Sequence, residues 1–161
     1  IKFLLKNEVD SYFIAIEIYR NGIAELVSKL DKKEYDRISI YQNDFRILID
    51  DLSEGALSRI LVLYPDPWIK RRHRKRRILN LRNIEKFSKV LKVGGLIYVA
   101  TDIKEYFLEI IANFTKKKTF SILNKDNFLI KPSILGKTKY EKKALASKQD
   151  SFYLLVKKTS G

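Results

Sequence analysis

Short apolar runs alternate along this chain with segments that carry apolar residues at helical spacing, and this alternation limits the folds open to it. Apolar or alternating runs predict strands at residues 13–18, 37–41, 60–63, 96–100 and 152–156. Helical spacing predicts helices at residues 21–30, 45–50, 74–91 and 104–116, and we expect Gly94-Gly95 to stop the third of these. Strands that alternate with helices are typical of a parallel α/β sheet with right-handed crossovers. We therefore predict an α/β fold, with residues 1–161 as a single domain.

Acids or amides stand where the predicted strands end. These residues are Glu17, Asn43, Asp44, Asp66 and Asp102. Each of them alone is explained as an ordinary strand-stop or helix-capping residue. Together they indicate a ligand site, because ligands of open parallel sheets bind at one rim, outside the carboxyl ends of the strands.

Glu17 has a more specific candidate role. In dinucleotide-like folds an acid at this position accepts hydrogen bonds from ribose hydroxyls, and a glycine-rich turn follows the preceding strand. No GxGxxG-like stretch occurs in this sequence. We therefore expect the glycine-rich turn and its strand to lie upstream of Ile1, in a longer translated product, since the chain also contains no methionine.

A segment with two prolines, called the proline turn below, follows the apolar run at 60–63. It consists of Tyr64, Pro65, Asp66, Pro67, Trp68 and Ile69. The prolines fix two φ angles and so hold Asp66 in place, while Trp68 has a flat face for base stacking, which is worth roughly 1–3 kcal/mol. A fixed carboxylate beside an aromatic ring suits a flat heterocycle with N–H donors. The ordinary alternative is a capped strand end with Trp68 in the core.

The next eight residues, Lys70 to Arg77, are called the basic run and comprise seven cations and His73. At the start of a helix over 74–91 the macrodipole disfavours positive charge, and like charges such as Arg71 and Lys75 repel at i,i+4 spacing. An anionic partner reverses both effects, so we predict nucleic-acid or phosphate binding in preference to a merely solvated helix face. About six phosphate contacts would give a log–log salt slope of roughly −5.

The composition supports a nucleic-acid partner. The chain has a net charge of +14, for which an anionic membrane surface or an acidic protein is the alternative partner. Hydrophobic residues make up 45% of the chain, which argues against disorder, yet no apolar run approaches the length of about 18 residues that would span a membrane. With no cysteine and one histidine, disulfides, metal sites of thiolates or histidines and a Ser-His triad are not expected. The lack of cysteine fits a reducing compartment, and we predict a cytoplasmic protein without a metal.

The proline turn and the basic run together closely resemble the signature of bacterial tRNA (guanine-N7-)-methyltransferases. Further segments typical of that family lie on both sides of these motifs and in the family's order, at residues 16–19, 43–44, 100–102 and 138–141. The resemblance covers essentially the whole chain; its proline-tryptophan-basic signature is highly specific, whereas the isolated acids are not. It implies a Rossmann-like class I methyltransferase sheet with flanking helices, whose first strand and glycine-rich turn are missing from this chain. It also implies methyl transfer from S-adenosylmethionine to N7 of a guanine in tRNA, the one in the variable loop.

The resemblance assigns roles residue by residue. Glu17 would hold the ribose of the cofactor, Asn43 and Asp44 its adenine end, and Asp66 would touch both cofactor and guanine at the methyl-transfer centre. The implied substrate-binding residues are Lys70, Asp102, Thr138, Lys139, Tyr140 and Glu141. The implied RNA-binding residues are Arg72, His73, Arg74, Lys75, Arg76 and Arg77. Without the resemblance, segment 138–141 is uninformative.

The implied chemistry agrees with the residues present. Guanine N7 carries an in-plane lone pair and no proton, so its methylation needs no general base. Two alternatives stay open: a catalytically inactive tRNA-binding fragment, and another nucleic-acid N-methyltransferase, because the proline turn loosely resembles the Asp-Pro-Pro-Tyr turns of amino-methylating enzymes. The sequence leaves the oligomeric state open between monomer and homodimer.

Overall fold

The computed structural model describes residues 1–136, 138–139, 141, 146 and 149–160, which form two compact units. Unit 1 comprises Ile1–Asp51 with Ser133–Gly136, and unit 2 comprises Leu52–Pro132 with the described part of Lys137–Gly161. Each unit combines helices with a β-sheet, which confirms the α/β class. In the part of the chain that is described, no helix combines the length and the apolar character that a membrane span needs.

Unit 1 contains a two-stranded parallel sheet and short helices. Its elements are α1 (Lys2–Asn7), β1 (Phe13–Ile16), α2 (Arg20–Val27), α3 (Lys32–Tyr35), β2 (Ile38–Tyr41) and α4 (Phe45–Asp51). The strands pair from Phe13 with Ile38 to Ile16 with Tyr41. Ile14 and Ile16 are 42% and 44% exposed, so β1 is not the buried strand that its apolar sequence predicts. Successive side chains of a strand point to opposite faces, and Ile14 and Ile16 share the less covered face of this two-stranded sheet.

Unit 2 is built on a four-stranded sheet with the order β3-β4-β6-β5. The strands are β3 (Leu57–Leu63), β4 (Leu91–Thr101), β5 (Phe120–Ile122) and β6 (Phe152–Lys158). β3 and β4 are parallel, as predicted, whereas β6 is antiparallel to both β4 and β5. The sheet is therefore mixed, and β5 escaped prediction because three residues are too few to show a period.

Residues 71–90 form two helices, where the sequence predicted one from residue 74 to residue 91. A 3-10 helix covers Arg71–Arg76, and α5 covers Leu81–Val90, with the Asn80 side chain accepting from Asn83 N at 3.0 Å as its N-cap. The basic run thus precedes α5 and does not form its first turn. The argument from the α-helix macrodipole and from i,i+4 repulsion was therefore wrong, because a 3-10 helix has three residues per turn.

Gly94 and Gly95 lie inside β4 and do not stop a helix, since α5 already ends at Val90. They belong to an irregular stretch, where the β3–β4 register shifts between the pairs Leu57–Leu91 and Arg59–Leu96. Gly94 has φ +79°, and a Cβ on Gly95 would lie 2.7 Å from Leu91 Cγ. Both positions therefore need glycine for local backbone reasons.

The core of unit 2 lies between its sheet and the helices α5 and α6 (Lys104–Thr115). The fully or almost fully buried side chains of these elements include Ile84, Phe87, Val90, Ile97, Val99, Tyr106, Phe107, Ile110, Phe114, Leu154 and Val156. The apolar positions of each helix recur at intervals of three and four residues, so one face of the helix covers the sheet. This packing supports the carboxyl ends of β3 and β4, from which the candidate site is built.

Candidate functional site

The candidate residues of unit 2 begin at the carboxyl ends of two neighbouring parallel strands. Leu63 of β3 pairs with Ala100 of β4, and Tyr64 N donates to Ala100 O at 2.7 Å. The proline turn leaves β3 at this point, and Asp102 follows β4 directly. Because parallel strands end at the same edge, Asp66 and Asp102 are carried by adjacent connections at one rim of the unit 2 sheet.

The proline turn is held in a strained backbone conformation. Tyr64 has φ +51° and Trp68 has φ +40°, in a region that side-chain-bearing residues rarely adopt. Each such residue costs on the order of 1–3 kcal/mol, and strain of this kind is concentrated at functional sites. The pattern of prolines predicted a fixed turn but not these two left-handed residues, since Pro restrains itself and its predecessor toward ordinary conformations.

Asp66 lies between the two strained residues and is exposed to solvent. Within the described residues, no hydrogen bond or ion pair to its carboxylate is found. Neighbouring Pro65 and Pro67 are both half-buried, so the turn is anchored on each side of an outward-facing acid. Such a carboxylate can accept hydrogen bonds from a ligand without first breaking internal ones.

Trp68 is half-buried and packs against two members of the basic run. Arg76 Cζ lies 5.0 Å from the centroid of the Trp68 ring, and the His73 ring meets it edge-on with centroids 5.8 Å apart. Cations over an indole face are attracted by its quadrupole. Trp68 therefore connects the proline turn to the basic run. The sequence suggested either a ring on which a base stacks or a side chain in the core, and the half-buried Trp68 is intermediate between the two.

The side chains of the basic run differ in exposure. Arg71, Arg72 and Lys75 are exposed, and Arg74 forms an ion pair with Glu105 at the start of α6. Arg77 is the exception, because its side chain is 1% exposed. Its buried guanidinium bonds to Pro67 O and Glu109, so Arg77 is not counted among the cations that face solvent.

Segment 138–141 joins a polar network that reaches the proline turn. Thr138 and Glu141 bond to each other, with Glu141 N donating to Thr138 Oγ1 at 3.0 Å, and Lys131 Nζ contacts Glu141 at 2.9 Å. Tyr153 OH donates to Glu141 Oε1 at 3.4 Å and also interacts with Tyr64. The predicted residue Lys139 is exposed, while Tyr140 lies outside the described residues. The network therefore links Glu141 to the first residue of the proline turn through β6.

Charge and burial set the ionisation of this network. Burial raises the pKa of Glu141, but the Lys131 ammonium and the Thr138 backbone N–H outweigh it, so the pKa lies below its usual range. Burial, followed by the contact with Tyr64, raises the pKa of the Tyr153 phenol. At neutral pH the network thus contains the Glu141 carboxylate and the neutral Tyr153 phenol.

The candidate residues of unit 1 also follow paired strand ends. Glu17 N donates to Tyr41 O at 3.2 Å, so Glu17 follows β1 where Asn43 and Asp44 follow β2. Glu17 Oε1 accepts from Tyr19 N at 3.0 Å, and a Cβ on Gly22 would lie only 3.2 Å from the Glu17 side chain. The absence of a side chain at Gly22 therefore makes room for the Glu17 carboxylate at the start of α2. A single rim for all four strand ends stays a prediction.

Asp44 is ion-paired with Arg46 in the first turn of α4. Arg46 Nε donates to Asp44 Oδ1 at 2.8 Å and its backbone N donates to the same oxygen at 2.9 Å. These bonds hold the pKa of Asp44 below its ordinary value, and the bond from the Arg46 side chain has the largest effect. Asn43 Oδ1 in turn accepts from Asp44 N at 2.8 Å. Both side chains are therefore partly satisfied by the connection that carries them.

Several residues that shape these sites were missed in the sequence. These are Ser151, Tyr153 and Glu109, which lie far along the chain from their partners. Ser151 Oγ accepts from Tyr64 OH at 3.0 Å, Tyr153 also contacts Tyr64, and Glu109 is ion-paired with Arg77. No local pattern marks such residues, because a period identifies buried faces and not cross-chain hydrogen bonds. Arg46 is different: an Asp with an Arg two residues later at a predicted helix start was a readable signal.

Comparisons with known proteins agree with the resemblance read from the sequence. A "Bifunctional methyltransferase" of Rickettsia felis is 31% identical over 97% of this chain, which spans 30% of that protein. Proteins named tRNA (guanine-N(7)-)-methyltransferase from Rhizobium johnstonii and Pseudoalteromonas atlantica are 35% and 34% identical, over 91% and 87% of the chain. The chain spans 64% and 59% of those two proteins.

Solved structures show the same fold at low sequence identity. A SAM-dependent O-methyltransferase from Thermotoga maritima superposes with a TM-score of 0.52 at 14% identity, over 95% of this chain and 52% of its own. A tRNA (m1A58) methyltransferase from Aquifex aeolicus gives a TM-score of 0.55 at 10% identity, over 93% and 54%. The predicted class I methyltransferase fold is therefore confirmed.

A match to a protein family shows which family this chain belongs to. Residues 4–154 match the family described as "Putative methyltransferase", so the match takes in both units and every candidate residue named above. Together with the relatives named tRNA (guanine-N(7)-)-methyltransferase, it confirms the resemblance on which the assigned roles rest. This chain belongs to that methyltransferase family.

Proposed function

We propose that the protein transfers a methyl group from S-adenosylmethionine to N7 of a guanine in tRNA, in the variable loop. The observation that carries the proposal is the exposed Asp66, which has no partner among the described residues and lies on a strained turn beside a cluster of exposed cations. Family membership supports methyl transfer, and the names of the relatives support a guanine in tRNA as the substrate. A tRNA-modifying enzyme acts where tRNA is, so we also propose a cytoplasmic location.

The cofactor would be held by Glu17, Asn43 and Asp44, with a contribution from Asp66. The donor set suits this role: one Glu17 oxygen accepts from Tyr19 N, which leaves the other available to ribose hydroxyls. Asp44 is tied to Arg46 and Asn43 is exposed, so the amide of Asn43 is the freer group for an adenine edge. S-adenosylmethionine supplies a methyl group on a positively charged sulfur, and the residues of this chain do not have to activate it.

Asp66 would act on the guanine. Because N7 has a lone pair and no proton, the protein has only to align N7 with the methyl group, which positioning supplies. The purine ring gains positive charge as N7 becomes methylated. A fixed carboxylate stabilises that charge as it develops, without reorganisation at the moment of reaction.

The remaining residues would bind the tRNA. We propose that the exposed cations of the basic run contact phosphates together with His73, and that the guanine and its neighbours are held by a second set. That set is Lys70, Asp102, Thr138, Lys139, Tyr140 and Glu141. The polar network from Glu141 to Tyr64 supports this division, since it ties segment 138–141 to the turn that carries Asp66.

Replacing Asp66 by Asn tests the proposal. We expect Asp66→Asn to lower the single-turnover rate of tRNA methylation by about 10²- to 10³-fold, the usual loss for one preorganised electrostatic group, with little change in tRNA affinity. Asp126→Asn is the matched control, because Asp126 is also an exposed acid of unit 2. A methylation rate for Asp66→Asn equal to that of the control contradicts the role of Asp66.

Two measurements separate the alternative functions. Mapping the methylated atom on tRNA distinguishes guanine N7 from an exocyclic amine, which another nucleic-acid N-methyltransferase would modify. Equilibrium binding of S-adenosylmethionine distinguishes an enzyme from a tRNA-binding protein without turnover. Tight tRNA binding with no cofactor binding would reject the proposed reaction.

A further inference from the structure

The strained proline turn needs an internal support that the proposed function does not itself provide. Tyr64 and Trp68 both have positive φ, and such conformations persist only where surrounding contacts over-determine them. Tyr64 is held by Ala100 O and Ser151 at one end of the turn. At the other end Arg76 and His73 pack on the Trp68 ring, and Arg77 bonds to the backbone of the turn.

Arg77 reaches the turn at the carbonyl that directly precedes Trp68. Its Nε donates to Pro67 O at 2.7 Å, while its Nη1 forms an ion pair with Glu109 on α6. The guanidinium Cζ also lies 4.6 Å from the centroid of the Tyr106 ring, on the same helix. One rigid planar group therefore connects the strained turn to the buried face of α6.

The burial of this charge argues for a dedicated role. The Arg77 side chain is 1% exposed, and an unpaired charge in that position would be strongly unfavourable. The guanidinium fork has donors in fixed directions, which lets it bond Pro67 O and Glu109 at the same time. A lysine offers one flexible ammonium, so it cannot reproduce both contacts in the same geometry.

We infer that Arg77 is a positioning residue that holds the Asp66–Trp68 part of the proline turn against α6, and that it makes no contact with RNA. The inference deepens the proposed function, because it gives Arg77 an effect on methyl transfer through the placement of Asp66. Its structural part concerns the conformation of the turn and is measurable without turnover. Trp68 is the only tryptophan in the chain, so its fluorescence reports on this turn alone.

The test compares Arg77→Lys with Arg82→Lys, the same change at an exposed arginine of α5 that lies outside the proposed binding residues. We expect Arg77→Lys to shift the Trp68 emission to longer wavelength and to increase its quenching by acrylamide, because Trp68 loses its fixed packing. We also expect the single-turnover methylation rate to fall about 10- to 100-fold, as for a reacting group displaced by up to about 1 Å, with tRNA affinity unchanged. Arg82→Lys should leave the Trp68 emission and the methylation rate unchanged.

A second variant keeps the inference testable if Arg77→Lys does not fold, as judged by circular dichroism and thermal unfolding. Glu109→Gln retains the volume of the partner and removes its charge, and we expect the same changes in smaller measure. Unchanged Trp68 emission and quenching in a folded variant overturn the inference, and so does weakened tRNA binding at an unchanged rate. If the unmodified protein does not methylate tRNA, the proposed function fails, whereas the Trp68 measurements still decide the role of Arg77.

Discussion

Removing one exposed cation of the basic run should weaken tRNA binding in a salt-dependent way. Of the seven cations in Lys70–Arg77, Arg77 is buried, Arg74 is paired with Glu105 and Lys70 belongs to the set proposed to hold the guanine, which leaves four for phosphates. At about −0.7 to −0.9 per phosphate, the run contributes roughly −2.8 to −3.6 to the log–log salt slope. This estimate replaces the steeper one made from the sequence with about six contacts.

Arg72→Ala is the cleanest perturbation, because Arg72 is exposed and Arg76 also packs on Trp68. Loss of one phosphate contact should flatten the slope by about 0.7–0.9 and lower the affinity about four- to sixfold near 0.15 M salt. Filter binding of tRNA between about 0.05 M and 0.2 M salt measures both quantities.

Lys116→Ala is the matched control, since it removes the same charge from an exposed position. Lys116 follows the last residue of α6, a helix of 12 residues that begins beside the candidate site and is about 18 Å long. We expect it to change the slope far less than Arg72→Ala does. If the two variants give the same curve, the charge effect is general, and the reasoning that places phosphates on the basic run is refuted.

Two further predictions concern the support of unit 2. Lys158→Met should lower the free energy of unfolding in urea by about 1–3 kcal/mol, because the buried Lys158 Nζ donates to Ser88 O at 2.7 Å and Leu91 O at 2.9 Å, and both carbonyls would lose this partner; an unchanged urea midpoint and slope would contradict this. Glu141→Gln should lower the free energy of unfolding at pH 7 but not in acid. The pKa of Glu141 is lower in the folded protein than its ordinary value of 4.5, so the ionised carboxylate stabilises the fold above pH 4.5. This stabilisation is lost as the pH falls through the pKa of the folded protein. Urea unfolding at the two pH values checks it, and a difference between the two proteins that does not narrow in acid would show that Glu141 has no such effect.

Local patterns in the sequence were enough for the class of fold and for the positions of the candidate acids. Parallel pairing of β3 with β4 follows from an apolar run, a helix and a second apolar run. The acids Asp66 and Asp102 could be placed at strand ends for the same reason, since a strand boundary is a local property. The family signature in the proline turn was readable because its residues are contiguous.

The ends of the helices and strands were less predictable where one sequence pattern fits two different structures. Apolar spacing over 74–91 suited one long helix, but the Asn80 cap starts α5 seven residues later than expected. Gly94 and Gly95 are typical of a helix end and of a strand irregularity alike. Which of these applies depends on the pairing of β4 with β3, which is a tertiary contact.

What the sequence by itself determined was the alternation of strands and helices, the acids at strand ends and the signature that relates this chain to a methyltransferase family. Only the tertiary structure decided that Arg77 is buried while Arg72 and Lys75 are exposed. In the sequence these cations are equivalent, because burial depends on Glu109 and Tyr106, about 30 positions away in the chain. Folding places α6 next to Arg77, so the guanidinium of Arg77 is buried against Glu109 and Tyr106. The other arginines and lysines of the basic run stay exposed.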